Sequence, residues 1–252
     1  MDSNESSGAE SNSLETSAAH RLEKRIEMIE ARYRKLDLGD VALSADLRLP
    51  KNAVGLVVFV HGSGSSRSSP RNQQVAESLA RRRLGTLLFD LLTEPEQHLD
   101  NQTRELRFDI ELLSRRLVKV IDWIGQDAEL QRLRIGLFGA STGAAAALMA
   151  AAERADVVHA VVSRGGRTDL AGATLARVKA ATLQIVGEQD LVVINLNVQS
   201  SHALRCEKRL EVVPGATHLF EEAGALEAVA RLAGDWFERY LHGSRPASTT
   251  TV

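Results

Sequence analysis

The chain is poor in most of the features that would tie it to a large class of partner. It has one cysteine in 252 residues, Cys206. A lone cysteine excludes a disulfide framework and a paired-thiolate zinc site. Aromatic residues make up only 4%, too few for the stacking platforms that hold single-stranded nucleic acid. Neither sign of charge prevails: 31 Lys and Arg face 33 Asp and Glu, for a formal net charge of −2. A nucleic-acid protein would show a basic excess, so no nucleic-acid partner is expected. No apolar run approaches the ~18–20 residues that cross a bilayer. The opening stretch MDSNESSGAESNSLETS has no Lys or Arg and no apolar core, so neither a secretory leader nor a membrane partner is expected. With one cysteine, the expected compartment is the cytoplasm. The chain also lacks GxGxxG, GxxxxGK[ST] and HExxH, so no nucleotide cofactor and no metal is implied.

What is present is a regular alternation. Residues 1–18 are Ser, Glu and Asn with little to bury, and read as a disordered acidic tail. Over about 20–34, Leu22, Ile26, Ile29 and Tyr33 recur at helical spacing. Next, Leu36 and Leu38, then Val41, Leu43, Ala45 and Leu47, alternate with polar neighbours around Gly39-Asp40, which predicts an antiparallel hairpin. VGLVVFV (54–60) is a continuous apolar run, the mark of a strand covered on both faces. Further strands are expected at 85–90, 134–139, 158–163, 181–187 and 208–214. Helices are expected between them at about 71–83, 104–126, 141–153 and 191–204, with a last one over 221–241. This order predicts a mostly parallel sheet with helices on both faces. Residues 19–242 read as one domain and 243–252 as a flexible C-terminal tail.

Ligands of such sheets gather at the carboxyl ends of the strands. The residues there are His61-Gly62-Ser63-Gly64, Asp90, the run Gly139-Ala140-Ser141-Thr142-Gly143, Arg164 to Arg167, Glu188 to Asp190, and His218. Gly139 to Gly143 fits G-x-S-x-G between an apolar strand and an Ala-rich helix. In that turn the serine stands strained at the apex, and bulk two residues to either side would collide. A serine nucleophile needs a base, and the base needs an orienting acid. His218 and Asp190 both follow strands and are the candidates, with Glu188 and Asp169 as competing acids. The backbone N–H groups of Ser63 and Thr142 are the expected oxyanion donors. His61 is expected to order its loop and Asp90 to hold one.

These residues together resemble a serine α/β-hydrolase, and within that fold the small, capless dienelactone hydrolase-like group. The resemblance runs from about Arg34 to Leu241 and rests on HGSGS, GASTG, Gly187 to Asp190 and PGATH. It implies an α/β-hydrolase fold with an N-terminal antiparallel hairpin and no cap domain. It also implies a Ser141–His218–Asp190 triad acting on a small ester. Dienelactone hydrolases proper carry cysteine at the elbow, where this chain has Ser141. HGSGSSRSSPRN and the SRGGR–DL stretch are similar to hydrolases found beside or fused to phosphoribosyltransferase domains.

Four arginines could form a basic rim near Ser141: Arg67, Arg71, Arg164 and Arg167. A guanidinium fork suits a carboxylate or phosphate, so one or two could select an anionic ester; otherwise they hold loops through Asp90 or Asp169, or face water. The expected partner is a small-molecule ester, with a homo-oligomer left open. A thioesterase, acyltransferase or small peptidase would use the same machinery. The alternative of another class is a non-catalytic binding protein on the same fold.

Overall fold

Apolar runs too continuous to have a wet side have to be covered twice, and this requirement organises the computed structural model, which describes residues 29–242. Eight strands form one sheet: β1 (Arg32–Asp37), β2 (Ala42–Arg48), β3 (Gly55–Val60), β4 (Leu84–Phe89), β5 (Ile135–Ala140), β6 (Val158–Arg164), β7 (Ala181–Gly187) and β8 (Lys208–Val213). Their spatial order is β1-β2-β4-β3-β5-β6-β7-β8. From β4 to β8 every pairing is parallel. β1 and β2 form the expected antiparallel hairpin, closed by the Leu38 N–H on the Val41 carbonyl, and β2 joins β4 antiparallel.

Among the described residues there are six α-helices, α1 (Pro70–Arg81), α2 (Glu94–Thr103), α3 (Ile110–Ile124), α4 (Thr142–Glu153), α5 (Leu191–Ala203) and α6 (Ala225–Leu241), and all but α2 pack on the sheet. Successive side chains of a strand point to opposite faces, and β3 shows the result. Leu56, Val58 and Val60 enter one apolar layer with α3 and α4. Val57 and Phe59 enter the other with α1 and α6. Trp123 of α3 packs at the margin of the first layer, and Trp236 of α6 lies in the second with its indole N–H on the Ala181 carbonyl.

The structure departs from the sequence expectations at several elements, the last helix among them, which begins at Ala225 and not at 221. The helix expected over 20–34 lies outside the described residues up to 28. Beyond that, Arg32 to Arg34 are strand, because β1 pairs along its whole length with β2 and buries Leu36. The helix expected over 104–126 begins only at Ile110. Arg104 adopts a left-handed conformation that ends α2, a short 3₁₀ turn spans Leu106–Phe108, and the Asp109 carboxylate caps α3 through the Leu112 N–H. The segment before it, where the sequence analysis places no helix, contains α2. Between β6 and β7 the chain makes only the 3₁₀ segment Thr168–Arg177, so no cap domain stands there.

Candidate active site

The site starts from a backbone constraint. β5 ends at Ala140 and α4 begins at Thr142, leaving Ser141 alone to reverse the chain, at φ 50° and ψ −122°. A non-glycine residue at positive φ is strained and persists only where its surroundings hold it. Here the Ser141 N–H donates to the Arg164 carbonyl at 3.2 Å, and the Ser141 carbonyl accepts from the Ala144 and Arg167 N–H groups. The two glycines are demanded by proximity. A Cβ on Gly143 would stand 2.2 Å from the Val60 carbonyl oxygen, and one on Gly139 would stand 2.4 Å from the Ala144 Cα. The Ser141 hydroxyl makes no capping bond to α4, and the residue is partly exposed at the positive end of a helix dipole.

His218 lies in the loop after β8. Its Nδ1 is 2.6 Å from Asp190 Oδ2. A carboxylate accepts only, so Nδ1 carries the proton and Nε2 is left with its lone pair. Asp190 is itself fixed: its other oxygen caps α5 through the Val193 N–H. Among the described residues no hydrogen bond joins the Ser141 hydroxyl to His218. The loop after β6 connects them instead, since it holds the Ser141 backbone through Arg164 and Arg167 while Gly165 packs against the His218 ring. The two competing acids are engaged elsewhere. Glu188 accepts the Gly215 N–H, and Asp169 takes both arms of Arg167.

The loop after β3 passes directly over the serine, with a Cβ on Gly62 placed 3.1 Å from that of Ser141. His61 orders this loop, as expected. It accepts the Leu91 N–H on Nε2 and approaches the Gly62 carbonyl with Nδ1. Burial holds its pKa below the usual histidine value, so the ring is the neutral Nδ1–H tautomer. Ser63 is less free than the sequence suggests. Its N–H donates to the Thr142 hydroxyl at 3.0 Å, and the two hydroxyls lie 2.8 Å apart. The Thr142 N–H, at the start of α4, has no hydrogen-bond partner among the described residues.

Of the four rim arginines, three are paired. Arg67 closes a loop on Asp90, through its N–H at 2.8 Å and its guanidinium at 2.5 Å. Arg167 binds Asp169, and Arg71 donates to Glu221 at 2.8 Å. Arg164 is buried and meets no carboxylate. Asp90 therefore holds a loop, as its sequence context suggested. An open groove of about 1110 Å³ runs beside the loop after β3, lined among others by Tyr33, Ser63, Arg67, Arg71 and His98.

Sequence reasoning missed the buried amides that brace the loop after β6. Asn197 Nδ2 donates to the Gly166 carbonyl at 2.8 Å, and Gln184 Nε2 donates to Asn197 Oδ1 at 2.9 Å. Gln184 was the available signal, a polar side chain inside the apolar strand ATLQIVG. Among the described residues no group of three or more His, Cys, Asp or Glu could hold a metal ion, and no helix is long and apolar enough to cross a membrane.

Comparison with known proteins places this geometry. A family model described as an alpha/beta hydrolase domain matches residues 53–230. A dienelactone hydrolase crystal structure from Anabaena variabilis is 53% identical, superposes with a TM-score of 0.84, and is matched over 86% of this chain and 100% of its own. Est1E from Butyrivibrio proteoclasticus shares the fold at 18% identity, with a TM-score of 0.69 over 83% of this chain and 98% of its own. Curated proteins from two strains of Mycobacterium tuberculosis, provisionally named phosphoribosyl transferases, are 52% identical over 209 residues, 83% of this chain. The chain spans 46% of the length of those relatives.

Proposed function

The chain belongs to the α/β-hydrolase family as a dienelactone hydrolase-like member, and from that premise we propose that it is a serine hydrolase acting through an acyl-enzyme. Ser141 Oγ attacks an ester carbonyl and passes its proton to His218 Nε2. Asp190 keeps the imidazole in the tautomer that can accept that proton and stabilises the imidazolium formed. The tetrahedral oxyanion is received by the Thr142 N–H and by the Ser63 N–H, which exchanges the Thr142 hydroxyl for it. The intermediate collapses as His218 returns the proton to the departing alcohol. Water then attacks the acyl group with His218 again as base, and releases the acid and free Ser141. The substrates proposed are small carboxylic esters or lactones, anionic ones included, because the segment between β6 and β7 forms no cap to enclose a large one. We place the protein in the cytoplasm on its single cysteine.

The observation that carries the reading is the presence of a strained, partly exposed serine at the elbow together with a carboxylate-oriented histidine. A thioesterase, acyltransferase or small peptidase would share these parts. The transferase name of the Mycobacterium relatives attaches to chains about twice as long, and nothing in the elbow or the Asp190–His218 pair speaks for phosphoribosyl transfer. The test is a fluorophosphonate probe with a panel of p-nitrophenyl esters. Wild type is expected to be labelled and to hydrolyse short esters, and Ser141→Ala to do neither. Labelling that survives Ser141→Ala, or a wild type that is never labelled, overturns the assignment and favours a binding protein on this fold.

A further inference from the structure

A nucleophile and a base that share no bond are aligned by the segments that carry them. Among the described residues no hydrogen bond joins the Ser141 hydroxyl to His218. The serine is held by the loop after β6, through the Arg164 carbonyl and the Arg167 N–H. The histidine is held by Asp190, whose carboxylate also caps α5 through the Val193 N–H. The register of nucleophile and base is therefore the register of the loop after β6 against the start of α5.

One buried side chain spans these two segments. Asn197, in the second turn of α5, donates one Nδ2 hydrogen to the Gly166 carbonyl and the other to the Val193 carbonyl, both at 2.8 Å. Its Oδ1 accepts from Gln184 Nε2 of β7 at 2.9 Å and from the Thr168 hydroxyl at 3.2 Å. Both donors and both lone pairs of the amide are thus engaged. Gly166 is pressed onto the elbow helix: a Cβ there would stand 2.6 Å from that of Ala144, in the first turn of α4. Its neighbour Gly165 packs on the His218 ring. A shift of the Gly166 peptide is therefore felt on both sides of the reaction, behind Ser141 and beside His218.

Filling space does not account for this trio. Asn197, Gln184 and Thr168 are each 0% exposed, and burying polar groups costs free energy that leucine or valine of similar volume would not. Gln184 Oε1 is buried with no partner among the described residues, so the fold retains a cost that an apolar residue would remove. What a buried polar network supplies in return is one fixed arrangement of the segments it joins.

We propose that Asn197, oriented by Gln184 and Thr168, is a positioning residue that sets the alignment of Ser141 with His218. This rests on the serine hydrolase reading. Asn197 takes no part in bond making. It acts by tying the Gly166 carbonyl to the turn of α5 that Asp190 caps, so that elbow and base keep one separation. A misplacement of reacting groups by about 1 Å costs on the order of 10²-fold in rate, so a single lost tie is enough to be seen in turnover.

The experiment measures p-nitrophenyl butyrate turnover and Tm together. Asn197→Leu should lower kcat about tenfold to a hundredfold and leave KM within about twofold, because alignment matters in the transition state and not in binding. Gln184→Leu keeps the Gly166 bond but frees the amide to turn, and should lower kcat by about threefold or more. It also removes the orphaned oxygen, so it should melt no lower than wild type. A residue kept only for stability would not lose activity without losing Tm. Thr168→Val should lose kcat as Gln184→Leu does, and Thr168→Ser, which keeps the hydroxyl, should recover it. If Asn197→Leu does not fold, the Gln184 and Thr168 variants carry the test. Wild-type kcat in both Gln184→Leu and Thr168→Val overturns the proposal, as does a loss that falls on KM alone. If wild type cleaves no ester and takes no fluorophosphonate, the hydrolase reading fails, and amide hydrogen exchange then decides the tie. The Ser141 and Arg167 N–H groups should exchange faster in Gln184→Leu than in wild type, with strands β3 and β4 unchanged. Equal exchange in the two proteins overturns it.

Discussion

Asp190 carries two duties at once, and a single-atom change separates them. Its Oδ1 caps α5 and its Oδ2 holds His218. Asparagine caps as well as aspartate, but it cannot stabilise an imidazolium or enforce the Nδ1–H tautomer. Asp190→Asn should therefore lose about 10³–10⁴-fold in esterase kcat while melting within a few degrees of wild type. Glu188→Gln, which touches only the Gly215 N–H, should keep nearly full activity. A Glu188→Gln loss as deep as that of Asp190→Asn would reassign the acid. His61 makes a second prediction at this scale. Its folded pKa is lowered by burial, offset in part by the Gly62 carbonyl and Asp90, from an unfolded value near 6.5. The unfolded chain thus binds a proton that the fold refuses. Stability is full above that value and falls below it, by at most about 1.4 kcal/mol per pH unit. Thermal melts at about pH 7.5 and about pH 5.5 check this: wild type should lose Tm, and His61→Gln should show a flatter profile. A wild type whose Tm is the same at both would show that His61 does not resist protonation.

At the scale of the element, strands β3 to β7 and the elbow were legible because their cause is local. A run such as GLVVFV has no wet face to offer, and G-x-S-x-G states its own turn. Helix α2 was not read, although its start is written in the sequence. Thr93 and Glu96 form a reciprocal capping box with Pro95 in the first turn, a signal that the Glu, Pro and Gln content of the segment disguised. Glu96 also binds Arg116, which with the Thr93 bonds holds its pKa down to about 2. Thr93→Ala should cost about 1 kcal/mol, seen as a Tm fall of about 2–4 °C. An unchanged Tm would mean that the box forms without stabilising the helix. The pairing of Arg67 with Asp90 and of Arg167 with Asp169 is one of three alternatives the sequence leaves open. Ion pairs depend on where loops meet, and which of the four rim arginines stays unpaired, Arg164, is not written in the spacing. The engagement of the Ser63 N–H by Thr142 is of the same kind, a contact between residues 79 positions apart.

For the molecule as a whole, chain order and sheet order differ only in the exchange of β3 and β4, which sets the loop after β3 beside the Ser141 turn. Strands β5, β7 and β8 deliver Ser141, Asp190 and His218 to one edge of a single sheet, and only the short 3₁₀ segment lies between β6 and β7. A site without a closing domain needs no interface to open it. Hydrolysis of a sparingly soluble ester should rise smoothly through its solubility limit, with no jump when aggregates form; an abrupt acceleration there would point to a closing element elsewhere.

The sheet also divides the interior into two optical compartments. Trp123 lies with one layer, under the Arg34 guanidinium at 5.5 Å, and Trp236 lies in the other, bonded to a β7 carbonyl. These are the two tryptophans of the chain. Each is a resident fluorophore for its own side, with a different polarity around its indole. Replacing one at a time with phenylalanine turns the protein into a pair of single-colour reporters. Coincident emission changes on denaturation would mark one cooperative unit, and separated ones would show which face of the sheet loosens first.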